Sequence, residues 1–559
     1  MDAFLIDAGA LATSYRHALD RLERSSFATA LWQRSLDVWA GDQSVRDKIA
    51  NRLGWLSAVD FITPQLDRLK TFAASIRDSG FTDVMLLGMG GSSLAPEVLR
   101  RVLGVAPGYP RFRMLDSVDP DAVRAAMENA ATSLFILASK SGSTIEPNVM
   151  AAEARRRLLA SGHQEWGSRF IAITDEGTPA HRRAIDERFR EVFVNPSDIG
   201  GRYSALSFFG MVPAALMGVD VAALLTHARE MEQACRNTRV ESNPGLALGA
   251  LMAAGASSRK DKLTLLLPER LQSFGLWVEQ LVAESTGKSG KGIVPIAGEP
   301  LTTRLGGDRV AVALTLATDP EETSRPVREA ATAVPSARIT LPDVTAIGAE
   351  FLRWEVATAT AGLLLEINPF DEPNVQQAKD ATRSLLGVYA QQHRLPSPEP
   401  LATIEGARLS ASEAAQQALN GETVLNFLGL LKQGDYGCLL AYLPPDSSFE
   451  PALHELRTAW GASSECATMF GYGPRYLHST GQLHKGGPNS GVFVILTAEP
   501  TSDLAIPDEP YSFGTLELAQ ALGDFQSLDH TGRRVLHLHL PNRDLELIRR
   551  TLHTLLSAV

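Results

Sequence analysis

The sequence predicts an α/β protein of several units with mostly parallel sheets, and three observations predict it. Its 559 residues suffice for three or four domains of ordinary size. Between about 56 and 230, short apolar runs alternate with longer amphipathic stretches, the βαβα order of a parallel sheet covered on both faces. The apolar runs in DVMLLGMGGSS, RFRMLDSVD, SLFILASKSGS and RFIAITDEG each end in small polar residues, and ligands of such sheets sit at the C-terminal strand ends.

The elements follow in order. Residues 1–55 place Leu5, Leu11, Tyr15, Leu19, Leu22, Phe27, Leu31 and Leu36 at helical spacing, which predicts an N-terminal helical segment. A first α/β domain is expected over 56–235. A second is expected over 236–393, with strands in KLTLLLPER, GKGIVPIAG, RVAVALTLA and ARITLPDV and a helix in AEFLRWEVATATAGLLLEI. The Pro-rich LPSPEPL marks a break, and 394–414 reads as a linker with a short helix. The C-terminal α/β domain, 415–559, has strands in YGCLLAYL, SGVFVILTA and VLHLHLP and helices in EPALHELRTAW and TLELAQALGDFQ. No tandem short repeat or low-complexity tract stands out.

Composition narrows the chemistry. Hydrophobic residues are 44% and charged residues 21%, with a net charge of −11, so the chain is globular and unsuited to blanket nucleic-acid binding. An anionic substrate then needs a local positive site. Cys235, Cys438 and Cys466 are too few and too scattered for a disulfide framework or a thiolate zinc site. No basic-then-apolar leader is visible and no apolar run approaches the ~18 residues of a membrane span; a cytoplasmic protein without a membrane partner is expected. Of ten lysines, Lys140, Lys288, Lys291, Lys379 and Lys485 fall in or beside loops rich in glycine, serine or acids.

Five segments and one lysine carry possible chemistry. Gly88-Met89-Gly90-Gly91-Ser92-Ser93 joins a strand to a helix and reads as an anion cradle or a tight turn; Ser93 stands where a dinucleotide fingerprint needs its last glycine. Ser139-Lys140-Ser141-Gly142-Ser143-Thr144 offers four hydroxyls and an ammonium before a helix opened by Glu146-Pro147, suited to a phosphate, or else to a capping turn. Arg202, after Gly200-Gly201, is either an oxyanion stabiliser or a surface arginine. Gln280 and Glu284 are four apart and share a helix face among Leu276, Trp277, Leu281 and Val282; burial would raise the Glu284 pKa toward that of a general base. Ala283 replaces the glycine a Walker A loop requires, so no nucleotide loop is expected at Lys288. Last, His478 and His484 flank Gly481 in a loop with Arg475 and Lys485. Their spacing is not that of a helical zinc pair, which leaves acid–base work or a structural loop. Lys379, in the first turns of a helix, is a ligand-facing or a solvated lysine.

Together, GMGGSS (88–93), SKSGST (139–144), GGRYS (200–204), EQLVAESTGK (279–288) and NPFDEPNVQQAK (368–379) resemble, in family order, the motifs of the phosphoglucose isomerases. The likeness is strongest to the isomerase half of bacterial transaldolase/phosphoglucose isomerase fusions. No transaldolase half is expected, since no barrel-sized region precedes the first motif. The resemblance implies two SIS-type doubly wound domains plus a C-terminal α/β unit. It implies reversible conversion of glucose 6-phosphate to fructose 6-phosphate through a cis-enediolate, without metal or other cofactor, and a homodimer. Residue by residue, it implies Glu284 as base, Arg202 at the reacting carbons, Lys379 at the ring oxygen and a histidine for ring opening. Gly91, Ser92, Ser139, Lys140, Ser141, Thr144, Gly201 and Gln280 would bind substrate. The chain departs from the family twice. Glu372 stands where a glutamine is common, and residues 285–378 contain no histidine. GQLHKGG resembles the missing histidine motif, so His484 is expected to open the ring, with His478 second.

Three rivals remain. A phosphoglucose/phosphomannose isomerase would use the same residues. A non-catalytic sugar-phosphate-binding regulator would keep SKSGST but need no Glu284 or Arg202. An amidotransferase-like enzyme of the same fold would need an N-terminal cysteine that the chain lacks.

Overall fold

The structure is a computed structural model that describes residues 3–445 and 448–558. Among the described residues sixteen strands form three sheets, and each sheet has a parallel core.

An N-terminal strand, β1 (Ala3–Asp7), precedes helices at Ala12–Arg24, Phe27–Trp32 and Gln43–Ala50. The expected helical segment therefore begins as a strand; its alternating burial suits the edge of a sheet. The first α/β unit holds β2 (Asp83–Gly88), β3 (Arg111–Leu115), β4 (Ser133–Ala138), β5 (Phe170–Asp175) and β6 (Glu191–Asn195), all parallel, in the order β3-β2-β4-β5-β6. Strands β2, β4 and β5 are buried at every position, as continuous apolar runs between two helical layers must be.

The second unit contributes β7 (Lys262–Leu266), β8 (Val294–Ile296), β9 (Arg309–Leu316) and β10 (Ser336–Leu341). Its sheet order is β1-β10-β9-β7-β8, with β1 added antiparallel at the edge. The C-terminal unit adds β11 (Ala402–Ile404), β12 (Ala407–Ala411), β13 (Tyr436–Tyr442), β14 (Ala467–Tyr472), β15 (Gly491–Ala498) and β16 (Arg534–Leu540). Its order is β11-β12-β16-β15-β13-β14, parallel from β16 to β14. The 394–414 stretch expected as a linker and helix thus contains two strands that extend the last sheet antiparallel.

Two helices tie the units together. The Gln272–Thr286 helix is buried at twelve of its fifteen positions. Phe274, Trp277, Val278, Leu281 and Val282 join the core shared by the first two units, while Ala283 joins the core under the C-terminal sheet. The Phe513–His530 helix places Phe513, Leu516, Ala519 and Leu522 in the same cluster as Val149, Met150 and Ala151 of the first unit. Such contiguous apolar contact fixes relative position more firmly than surface contacts do. Among the described residues no helix is long and apolar enough to cross a membrane, and the three cysteines are free and buried.

Candidate active site

Strand register brings the first two motifs together. Gly88 ends β2 opposite Ala138 at the end of β4, so the 88–93 and 139–144 turns leave the same sheet edge side by side. Ile173 of β5 lies opposite Ala138, and Asp175 opposite Asn195 of β6, so the 200–204 turn follows from that edge too. All three turns therefore stand at the C-terminal strand ends.

Glycine is required where these turns touch. Gly90 has φ +53°, and a Cβ there would lie 2.5 Å from the His478 carbonyl oxygen and 2.9 Å from Gln280 Nε2. A Cβ on Gly91 would lie 2.1 Å from the Gly201 carbonyl oxygen. No side chain fits either gap. A Cβ on Gly201 would itself meet open space. Ser92, beside them, is buried.

In the second turn Ser139 is buried, accepts the Gly142 N–H at 3.1 Å and donates to Thr144 Oγ1 at 3.3 Å. Ser141 is exposed, its hydroxyl accepting from Ser143. Lys140 turns away from the hydroxyls: its ammonium pairs with Asp175 and donates to the Ser197 carbonyl at 2.8 Å.

Arg202 is 4% exposed and fully committed. It donates to Ser285 Oγ at 2.8 Å, Glu372 Oε2 at 3.0 Å, and the Pro369 and Asp371 carbonyls at 2.8 and 3.0 Å. Its Nη1 also stands 3.4 Å from Glu284 Oε1. The other carboxylate oxygen of Glu284 accepts from Gln280 Nε2 at 3.2 Å. Burial is the main force pushing the Glu284 pKa up and Glu372 adds to it, while Arg202, Gln280 and Lys288 pull it back; the net direction is upward. Lys288, one turn on, is lowered to about 8, chiefly by burial and then by Arg202, with Asp371 opposing. Its ammonium binds the Asn368 carbonyl and the Asp371 carboxylate at 2.7 and 2.8 Å, which pins the Asn368–Glu372 loop over the helix end. Glu372, the departure from the family pattern, is a partner of Arg202.

The two histidines occupy different places. His484 is 1% exposed; its ring lies beside Tyr476 and Phe493, with Nε2 3.8 Å from Cys438 Sγ. Burial, Lys485 and Arg533 push its pKa well below the usual histidine value. It belongs to the core under the C-terminal sheet and touches none of the motif residues just described. Leu483 next door is packed against Gly287 in the six-residue helix Gly481–Gly486, and the His484 ring faces Tyr476, Phe493 and Cys438 rather than Glu284, the placement expected of it. His478 is the histidine brought to the cluster. Its carbonyl accepts from Gln280 Nε2 at 2.8 Å, and its Nε2 lies 2.7 Å from Glu146 Oε1. Gln520 of the Phe513–His530 helix donates to the same Glu146 oxygen at 2.7 Å. Burial works against ionisation of Glu146, but His478 and then Gln520 hold its pKa below the usual glutamate range.

Glu146 and Gln520 were not among the expected site residues. Glu146 carries a local signal, an acid two positions after a hydroxyl-rich turn. Gln520 leaves none, since it comes from an otherwise ordinary helix more than 370 residues away. Lys379 is exposed in the Val375–Gln392 helix, and no contact brings it to Glu284. Among the described residues no group of three or more His, Cys, Asp or Glu side chains converges as a metal-ligand set.

The arrangement thus offers a buried carboxyl with a raised pKa beside a guanidinium, a hydroxyl-rich turn, and a histidine backed by a carboxylate. The chain is similar to known proteins across this region. Residues 57–295 match the family model of phosphoglucose isomerase. The glucose-6-phosphate isomerase of Prochlorococcus marinus (strain MIT 9313) is 34% identical over 243 residues, 41% of this chain and 44% of that protein. The glucose-6-phosphate isomerase of Nostoc punctiforme is 35% identical over 244 residues, 41% of this chain and 46% of that protein. The chain thus spans about half the length of the curated relatives it matches. Among solved structures, a hypothetical protein from Thermus thermophilus aligns over 68% of this chain and 99% of its own, with a TM-score of 0.58 at 24% identity. A glucose-6-phosphate isomerase from Chlamydia trachomatis aligns over 69% and 89%, with a TM-score of 0.54 at 19% identity. These structural likenesses bear on the fold, an α/β architecture with mostly parallel sheets. The likeness to phosphoglucose isomerases in sequence is thus concentrated in residues 57–295.

Proposed function

We propose that the protein interconverts glucose 6-phosphate and fructose 6-phosphate by proton transfer at Glu284. The observation that carries this reading is the placement of Glu284, buried, with a raised pKa, 3.4 Å from Arg202 and beside the glycine turns at the sheet edge. A base of this kind works best with a pKa near the operating pH.

In this reading the phosphate rests on the 139–144 turn, bound by the Ser139, Ser141 and Thr144 hydroxyls. Ser92, Gly91 and Gly201 border the sugar. Phosphate binding supplies remote energy to orient the open chain. Glu284 takes the C2 proton of the aldose, Arg202 stabilises the cis-enediolate that forms, the protonated Glu284 returns the proton to C1, and the O2 hydroxyl proton passes to O1 as the C2 carbonyl forms. Gln280 holds Glu284 in line. No electrons leave the substrate, so the proton transfers alone balance the reaction.

Ring opening comes first and falls to His478. The O1 proton leaves, the C1–O5 bond breaks and O5 takes a proton. With Nε2 held by Glu146, Nδ1 of His478 is the nitrogen free to relay that proton, the logic by which a carboxylate fixes a histidine tautomer. Lys379 enters through the resemblance alone, and no step is routed through it.

A coupled assay of fructose 6-phosphate conversion in EDTA, with Glu284→Gln beside the wild type, tests the proposal. EDTA-resistant activity that vanishes in the variant is expected. Folded wild-type protein that binds sugar phosphate without turning it over would favour the regulator, and activity on mannose 6-phosphate would widen the substrate range.

A further inference from the structure

The C-terminal unit lies outside the matched segment, yet one of its helices reaches the site at two points. Gln520 donates to Glu146 Oε1 at 2.7 Å, the oxygen that also meets His478 Nε2. One turn later, Asp524 accepts from Tyr476 Oη at 2.7 Å and pairs with the Lys485 ammonium. Tyr476 and Lys485 bracket the segment that carries His478. Residues four apart share a helix face, so one rigid face grips both the carboxylate and the loop that delivers the histidine. Gln520 and Asp524 are 3% and 0% exposed, and the helix is embedded in the core of the first unit through Phe513, Leu516, Ala519 and Leu522. Glu517, on the same helix, faces Arg543, which also pairs with Asp119 of the first unit. The helix has little room to move.

Glu146 needs such support. Its Oε2 is buried without a hydrogen-bond partner, and His478 and Gln520 are the two side chains that meet it at Oε1. A buried carboxylate with one donor removed is free to turn its unpaired oxygen toward the histidine or to take up a proton. Rotation shifts the ring's orientation, and protonation changes which nitrogen of His478 carries the proton. The Glu284–Arg202–Gln280 group has its own hydrogen bonds and makes no direct contact with Gln520, whose amide donates to Glu146.

We propose that Gln520 is a positioning residue for ring opening: it orients Glu146 and thereby the His478 tautomer, and leaves proton transfer between C1 and C2 to Glu284. This rests on the isomerase reading above. The reaction itself separates the two roles. Interconversion of the α and β anomers of glucose 6-phosphate needs the C1–O5 bond to break and re-form, with the O1 and O5 protons exchanged, but needs no proton removed from C2. Ring opening is thus readable alone.

The experiment follows anomer exchange by two-dimensional exchange NMR in the full-length chain carrying Glu284→Gln, with and without Gln520→Met. Gln520→Asn, too short to reach Glu146, serves as the second variant. Binding of a five-carbon aldonate 5-phosphate, which copies the open-chain enediolate and has no ring to open, reports whether the rest of the site is intact. The expected result is anomer exchange slowed at least about tenfold in both variants, the scale of a lost hydrogen bond to a charged group, with aldonate binding unchanged. Unchanged anomer exchange would overturn the inference. So would a parallel loss of exchange and aldonate binding, which would make Gln520 a packing residue. If the wild type exchanges neither anomers nor the C2 proton, the isomerase reading itself fails; if it does both and the variants keep anomer exchange, only the role of Gln520 fails.

Discussion

The two halves of the site are built by different means. On the side of the first unit, backbone does the positioning. Strand register sets the 88–93 and 139–144 turns side by side, and Gly91 lets one turn rest directly on the Gly201 carbonyl. On the side of the C-terminal unit, side chains do it. His478 is placed through Glu146, Gln520, Tyr476, Asp524 and Lys485, a buried polar set in which every hydrogen bond matters. The first construction is most exposed to change at its glycines. The second is sensitive to single polar atoms.

The largest effect should come from the group that both halves serve. Glu284→Gln removes the base but keeps its shape, and kcat should fall by about a thousandfold or more, within the span of general acid–base catalysis, with KM for fructose 6-phosphate little changed. Next, His478→Gln should cost about a hundredfold on the cyclic substrate, and the loss should lie in anomer exchange. A C2-proton loss of equal size with normal anomer exchange would move His478 out of the ring-opening role.

Gly91→Ala probes the backbone side. Its Cβ would meet the Gly201 carbonyl, so the turns must part; the expected loss is about 1–3 kcal/mol of stability, visible as a lower Tm, together with weakened substrate binding. Unaltered stability and affinity would show that the close approach is not needed.

A subtler change is Glu372→Gln. Glu372 helps to raise the Glu284 pKa. Removing that negative charge favours the carboxylate and lowers the pKa, so the acid limb of kcat/KM, set by the need for ionised Glu284, should shift to lower pH. A shift to higher pH would contradict the assignment. The smallest effect is expected for His484→Leu, an apolar replacement in an apolar setting, which should leave kcat/KM where it is. A large loss there would restore the sequence's first choice of histidine.

These contrasts also explain what could be read without coordinates. Strands β2, β4, β5, β9 and β15 are continuous apolar runs, and the sequence pattern locates each of them. Strands β1, β6, β11 and β14 stand at sheet edges, where half-exposed positions such as those of Glu191–Asn195 blur the pattern, and the reading passes over them. Site residues tied to a turn or a short helical spacing, such as Gly91, Ser139, Arg202, Gln280 and Glu284, are legible for the same reason as the buried strands: the signal is local. Whether His478 or His484 faces the site depends on how a six-residue helix packs against Gly287, and the contact of Gln520 with Glu146 joins the first unit to the last. Neither leaves a local mark in the chain.

The central claim is that Glu284 moves a proton between C1 and C2. The most direct measurement is wash-in of solvent deuterium at C2 of glucose 6-phosphate during turnover, in wild type and in Glu284→Gln. Deuterium entering at C2 in the wild type and absent from Glu284→Gln, while anomer exchange continues in both, is the predicted result. Conversion of fructose 6-phosphate to glucose 6-phosphate at an undiminished rate in Glu284→Gln would contradict it.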